Sequence, residues 1–359
     1  MHGWAEIDCS AFAHNLEIIR RLAPQSKVSA VVKANAYGHG LQTAVRALKG
    51  RVDGFSVATC EEALQIRAVD AETPVWILLG VSCPEELEQC LAFNLTPVIT
   101  HRQHYDWCRA LGPSPLSVVV EIDVGMGRLG LAPEELPEVL EGLQASGTAT
   151  IAAILGHFPD AENPDIGALV NQYHKFGKVL SGAGHPLTLA NSAAILQYPD
   201  CHLDWVRPGL MLYGVSPLGQ GCGNELGLKP VMRMCAQLGG VRQMQPGATI
   251  GYGSTFICPR EMLIGLVRFG YADGYPRQAV GCGAVVVRGQ VADVLGRVAM
   301  DSLIIDVSNI SGISPGDVVE LWGAEMPVEY LSRESGVIAH QILTSIGPRI
   351  ERREVSCEW

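Results

Sequence analysis

Lys33 ends an apolar run that includes Val28, Val31 and Val32, and Ala34-Asn35-Ala36-Tyr37-Gly38-His39-Gly40 follows it at once. Lysine is costly to bury, so one delivered to a strand end needs a partner or a task. Its most characteristic covalent task is a Schiff base with a carbonyl, above all with pyridoxal phosphate. A lone lysine would more simply extend its amine into solvent. The neighbours argue against that: Tyr37 offers a phenol for a phosphate, and Gly38 and Gly40 let backbone approach a ligand closely.

Further polar groups follow apolar runs in the same way: Arg128, His157, Asn191-Ser192 and Arg207-Pro208-Gly209-Leu210. Ser192 supplies a hydroxyl, and Gly209 and Leu210 supply backbone N–H groups, where a phosphate could sit. Arg207 stays protonated, which suits a fixed hydrogen bond to a pyridine nitrogen rather than proton delivery to it. A pyridine kept neutral is a weaker electron sink, favouring simple removal and return of a proton. Tyr271, within Phe269-Gly270-Tyr271-Ala272-Asp273-Gly274-Tyr275-Pro276-Arg277, reads either as part of a surface turn or as a general base beside cationic groups. Proton exchange between the two faces of a carbon needs two such groups, here Lys33 and Tyr271.

The elements that must position these residues are legible in outline. Trp4–Asp8 reads as a short strand, and Ser10 is expected to cap a helix bearing Phe12, Leu16 and Ile19. Strands are then predicted at Val28–Val32, Val52–Val57, Val75–Leu79, Thr96–Ile99, Leu116–Ile122, Thr150–Leu155, Pro186–Ala190 and Asp204–Arg207. Helices are expected between them at Leu41–Lys49, Glu61–Val69, Pro84–Phe93, Gln103–Leu111, Pro133–Gln144 and Asp165–Ser181. The strands are apolar throughout rather than alternating, as when both faces are covered. Eight such units predict a (β/α)8 TIM barrel, whose active site lies at the C-terminal strand ends. Lys33, Arg128, His157, Ser192 and Arg207 would then share one rim. After about Leu228 the glycines multiply and β-rich runs appear at Met262–Phe269, Ala284–Val287, Leu303–Val307 and Val318–Trp322. They predict a second, mainly β C-terminal domain, with a helical piece around His340–Ile346.

Two other motifs compete for attention. Gly125-Met126-Gly127-Arg128-Leu129-Gly130 matches the dinucleotide fingerprint, but no helix opens within it, as that fingerprint requires. His101, His104 and Cys108 fit one helix face without a fourth ligand, so no metal site is expected. The 359 residues carry a net charge of −11, from 26 basic and 37 acidic residues, which argues against a nucleic-acid or anionic-membrane surface. No secretory leader or bilayer-spanning run is visible, and the eleven cysteines, without a Cys-x-x-Cys pair, read as reduced thiols. A cytoplasmic location is expected.

These motifs together resemble the alanine racemase family over almost the whole chain. Trp4–Asp8, Val31–Gly40, Gly125–Gly130, His157-Phe158, Asn191-Ser192, Arg207–Gly214, Gly251–Phe256, Gly270–Arg277 and Gly296–Asp301 occur in the family's order. The resemblance implies a barrel over residues 11–228 and a β domain formed by residues 1–10 plus 229–359. It implies a homodimer with active sites shared between copies, pyridoxal phosphate on Lys33, and a small amino acid as substrate. Lys33 would be the base for D-alanine, and Tyr271 from the partner the base for L-alanine. His157 and Arg207 would tune Tyr271; Tyr37, Ser192, Gly209 and Leu210 would bind phosphate; Arg128, Met300 and Asp301 would serve the substrate.

The chain departs from the family at two places. Glu121 stands where many members carry a carbamylated lysine, and it is expected to orient Arg128 through a water or a shifted backbone. Around Ile346–Arg349 a phosphate-binding tyrosine of some members is absent. The expected activity is racemisation of alanine, supplying D-alanine for peptidoglycan. A racemase preferring serine or a larger amino acid, a non-catalytic pyridoxal-phosphate carrier and a decarboxylase stand as alternatives.

Overall fold

The computed structural model describes residues 3–162, 176–177 and 184–355. Its first strand, β1 (Trp4–Asp8), leads into a helix at Cys9–Leu22. Asp8, not Ser10, is the N-cap: its carboxylate accepts the Ser10 amide at 2.8 Å and the Ser10 hydroxyl at 2.6 Å. A carboxylate at that place also answers the positive end of the helix.

Eight parallel strands then close into a barrel: β2 (Lys27–Val31), β3 (Gly54–Val57), β4 (Val75–Ile77), β5 (Thr96–Ile99), β6 (Leu116–Glu121), β7 (Ala149–Leu155), β8 (Leu187–Asn191) and β9 (Trp205–Arg207). The barrel closes where Lys27 and Val28 pair with Trp205 and Val206. Inside it, Trp76, Val98, Val119, Ala153, Leu155 and Trp205 pack together, with the two indole rings 4.8 Å apart. Residues facing outward, such as Val28, Phe55 and Ile77, join the main core under the helices. Both strand faces are therefore buried, which is why the runs are apolar throughout.

The predicted strands agree with these to within two residues. The expected Pro133–Gln144 helix is instead a short 3-10 turn at Pro133–Glu135 followed by a helix at Leu136–Ser146. The expected helix at Asp165–Ser181 lies outside the described residues apart from Phe176 and Gly177.

Beyond the barrel, β10 (Met232–Met244), β11 (Thr249–Ile250), β12 (Phe256–Ile257), β13 (Met262–Val267), β14 (Ala284–Val287), β15 (Gln290–Leu295), β16 (Leu303–Asp306), β17 (Val318–Trp322) and β18 (Glu351–Val355) follow. One eight-stranded sheet has the order β13-β16-β15-β14-β17-β10-β1-β18. Strand β1 sits in it between β10, antiparallel, and β18, parallel. The thirteen-residue β10 was not foreseen, because Gly239-Gly240 and its arginines break the alternation. Its register shifts at Leu238/Gly240 and Met234/Cys235, letting one strand serve three partners. Helices at Val328–Ser335 and Ala339–Thr344 precede β18, the second near the predicted helical piece. Among the described residues no helix is long and apolar enough to cross a membrane.

Candidate active site

The strand that carries Lys33 does not end in an ordinary loop. Ala34, Asn35, Ala36 and Tyr37 all have φ between +51° and +55°, a full left-handed turn of non-glycine residues. Such a conformation costs roughly 1–2 kcal/mol per residue, so the surroundings must hold it. Asn35 Oδ1 accepts the Leu41 amide at 2.9 Å. His39, completely buried, turns Nδ1 to the carbonyls of Ala36 and Tyr37 at 3.0 and 2.9 Å. Burial pushes its pKa down to about 4, so the ring is neutral and Nδ1–H is the donor. Arg352, from the last strand of the β sheet, donates Nε to Gly38 O at 2.8 Å.

Lys33 emerges from this turn into a cavity of about 540 Å³ at the C-terminal ends of the barrel strands. Tyr37, Glu121, Arg128, His157, Ser192, Arg207, Gly209 and Leu210 line the same cavity. The barrel-borne candidates expected from the sequence thus share one rim. Beyond the helical periodicity of that segment, the sequence held no sign that the β domain would add to it: the helix Ala339–Thr344 inserts His340 and Thr344 into the wall. The His340 ring lies 5.7 Å from the Tyr37 ring.

The electrostatics of the cavity follow from crowding of cations in a dry place. Arg207, only 4% exposed, donates Nη1 to Thr188 Oγ1 at 2.6 Å and Nη2 to Gly156 O at 2.8 Å. Burial lowers its pKa to about 10, which leaves it cationic at neutral pH. Its Nε has no protein partner among the described residues and is free for an acceptor in the cavity. Burial, then the charges of Arg128 and Arg207, lower the Lys33 pKa, with Glu62 opposing them. A larger share of Lys33 is thus neutral and nucleophilic. His157 is held down to about 3 by burial and by Arg207, Arg128 and Lys33, so its ring is neutral.

Glu121 is the site's one oddity. It is 5% exposed, and burial raises its pKa to about 7 although Arg207 and Arg128 pull the other way. No hydrogen bond joins it to Arg128 among the described residues.

Another part of the cavity wall is suited to an oxyanion. Ser192 Oγ accepts the Gly209 amide at 2.8 Å and the Met211 amide at 3.4 Å, which turns its own hydroxyl hydrogen outward. A Cβ on Gly209 would lie 2.7 Å from Tyr37 Oη, so only glycine lets that phenol reach the backbone there. Burial raises the Tyr37 pKa to about 12, keeping the phenol a donor. A hydroxyl, a phenol and the close backbone of Gly209 and Leu210, on the wall of the cavity that holds the Lys33 amine, fit pyridoxal phosphate.

Tyr271, Met300 and Asp301 do not line this cavity. They lie together on the β domain, where the Tyr271 and Ala272 amides donate to Ala299 O and Met300 O at 3.1 and 3.0 Å. Tyr271 is 39% and Met300 53% exposed. Asp301 pairs with Arg349 at 2.8 Å, and the same guanidinium reaches buried Asp273 at 2.8 Å. The dinucleotide-like stretch is disposed of by its own geometry: the amides of Gly125, Met126 and Gly127 all donate to the Asp123 carboxylate. A loop whose three leading amides wrap a carboxylate of its own chain does not offer them to a pyrophosphate.

Sequence models described as "Alanine racemase, N-terminal domain" and "Alanine racemase, C-terminal domain" match residues 7–217 and 231–354. An alanine racemase of Stutzerimonas stutzeri is 38% identical over 352 residues, 98% of each chain. The crystal structure of the biosynthetic alanine racemase from Pseudomonas aeruginosa superposes with a TM-score of 0.95 at 39% identity, covering 99% of both chains. That of the enzyme from Bartonella henselae with covalently bound pyridoxal phosphate does so with a TM-score of 0.90 at 32% identity, covering 99% of this chain and 100% of that one.

Proposed function

The chain belongs to the alanine racemase family, and we propose that it interconverts L- and D-alanine with pyridoxal phosphate by a two-base mechanism. One observation carries this reading: Lys33, the neutral His157 ring and Arg207 line one cavity together with Tyr37, Ser192, Gly209 and Leu210, a set that suits a phosphate. When bound, pyridoxal phosphate supplies a carbonyl for the amino group and a conjugated ring that accepts the electrons left when the Cα proton departs.

The protein's own groups do the rest. Lys33 Nζ holds the cofactor and exchanges the Cα proton on the D side. Arg207 Nε would donate to the pyridine nitrogen without releasing its proton, and a ring so held would stay neutral and withdraw electrons weakly. That suits return of the proton and disfavours decarboxylation. Tyr37, Ser192 and the Leu210 amide would bind the phosphate, with Gly209 allowing the close backbone approach and its amide orienting the Ser192 hydroxyl. Arg128, with Met300 and Asp301 of a second copy, orients the substrate.

Tyr271 is assigned as the base on the L side. Its exposure, and its absence from the lining of its own chain's cavity, support a homodimer in which each copy completes the other's site. We divide each copy into a barrel at residues 11–228 and a β domain at 1–10 plus 229–359, a reading supported by the pairing of β1 with β10 and β18. The protein would act in the cytoplasm and supply D-alanine for peptidoglycan.

The test is direct. Purified protein with added pyridoxal phosphate is given L-alanine, L-serine, L-lysine or L-arginine separately, and products are resolved by chiral chromatography over time. Rapid D-alanine with little else is expected. Faster inversion of another amino acid would replace the substrate, and inversion of none would remove the activity.

A further inference from the structure

Glu62 lies outside the cavity, in the first turn of the helix Cys60–Arg67 that follows β3. Its carboxylate nevertheless touches the backbone that carries the lysine. Oε1 accepts the Ala34 amide at 2.7 Å, and Oε2 accepts the Ala58 amide at 2.8 Å. Ala34 is the residue after Lys33 and the first of the left-handed turn; Ala58 is the residue after β3. One side chain thus spans the C-terminal ends of two neighbouring barrel strands. The other ties on this turn act further along, at Asn35, Ala36, Tyr37 and Gly38.

We propose that Glu62 is a positioning residue for Lys33: its two-armed grip on Ala34 and Ala58 sets where the left-handed turn begins and hence where the lysine amine lies. The proposal rests on the reading of Lys33 as the cofactor-bearing lysine. Two features make the grip specific. A left-handed turn of L-residues has no intrinsic preference for its own geometry, so its entry point is decided by external bonds. In addition, the charges acting on Lys33 are otherwise cationic, from Arg128 and Arg207, and the carboxylate of Glu62 opposes them. Glutamine in its place keeps the size but offers one acceptor and one donor, so it can hold only one of the two amides.

The experiment compares the wild-type holoenzyme with Glu62→Gln, Glu62→Asp and, as a control on the adjacent exposed carboxylate, Glu61→Gln. Three quantities are read: kcat and KM for L-alanine per bound cofactor, the pH titration of the visible absorbance of the lysine-linked cofactor, and the melting temperature. Displacement of a reacting group by even an ångström costs on the order of 100-fold. Glu62→Gln should therefore lower kcat by roughly 10- to 100-fold while KM changes little. The absorbance titration should move to lower pH by ~0.5–1 unit as a neighbouring negative charge is lost. Glu61→Gln should match wild type in all three.

Wild-type kcat and an unmoved titration in Glu62→Gln would overturn the proposal. So would a lowered melting temperature with unchanged kcat per bound cofactor in both Glu62 variants, because Glu62 would then only support the fold. Borohydride reduction and peptide mapping of the wild type separate this from failure of the functional reading. A label away from Lys33 removes that reading and the proposal with it, whereas a label on Lys33 with an indifferent Glu62→Gln removes the proposal alone.

Discussion

Arg207 Nη2 donates to His157 Nδ1 across 3.3 Å. A guanidinium has no acceptor, so Nδ1 must be the unprotonated nitrogen of this neutral ring, and the proton sits on Nε2. The cavity is thus offered a donor at Nε2, placed to stabilise a deprotonated oxygen. Removing it with His157→Phe should lower kcat/KM for L-alanine by roughly 100-fold, read from initial rates. An unchanged kcat/KM would show that Nε2–H serves no reacting group.

A shared site makes a prediction about mixtures. Lys33→Ala and Tyr271→Phe should each be nearly inactive alone. If the two residues act in different copies, a hybrid dimer has one site with both changes and one with neither. Unfolding and refolding an equal mixture should then restore roughly a quarter of wild-type activity. Absence of any recovery in proven hybrids would mean that both groups act within one copy.

The roles of the two bases separate in isotope exchange, not in net rate. L- and D-alanine are equal in energy, so Tyr271→Phe must slow both directions alike, by roughly 100- to 10,000-fold if it removes a general base. In deuterium oxide, however, Lys33 would still exchange the Cα proton of D-alanine without inversion. Deuterium entering D-alanine but not L-alanine is the expected result, read by mass spectrometry after chiral separation. The opposite pattern would exchange the two assignments.

Stability should fall in mild acid, by a sum with opposite signs. His39 and His157 are buried neutral, with folded pKa values of about 4 and about 3 against 6.5 unfolded. Below pH 6.5 the unfolded chain takes up protons that the folded chain refuses, and each ring removes up to ~1.4 kcal/mol of stability per pH unit. Glu121 runs the other way: its folded pKa of about 7 against 4.5 means the folded state binds the proton first as pH falls from 7 to 4.5. Stability from that group is present below 4.5 and lost as pH rises through 7. Urea unfolding of cofactor-free protein at pH 7 and pH 5 should therefore show a steeper acid loss in Glu121→Gln than in wild type. Equal slopes would mean that Glu121 is ionised in the fold.

Much of this protein was decided locally and could be read from the chain. Apolar runs of strand length, each followed by a helix-like stretch, suffice for a closed parallel barrel, because strands covered on both faces carry no alternation to misread. The same logic brought Lys33, His157, Ser192 and Arg207 to one rim, since each stands within two residues of a strand end. What only the tertiary structure decided has a common cause: partners distant in sequence. The left-handed turn at Ala34–Tyr37 has too weak a local signature, because only Asn35 favours that region and alanine does not; Glu62 and Arg352 hold it from elsewhere. His340 enters the cavity only because the β domain lays a helix against Tyr37. The protonation of His157, the free Nε of Arg207 and the raised pKa of Glu121 likewise depend on burial and on charges brought together from separate strands. Residue types supplied the chemistry, and desolvation in the folded cavity set its protonation states.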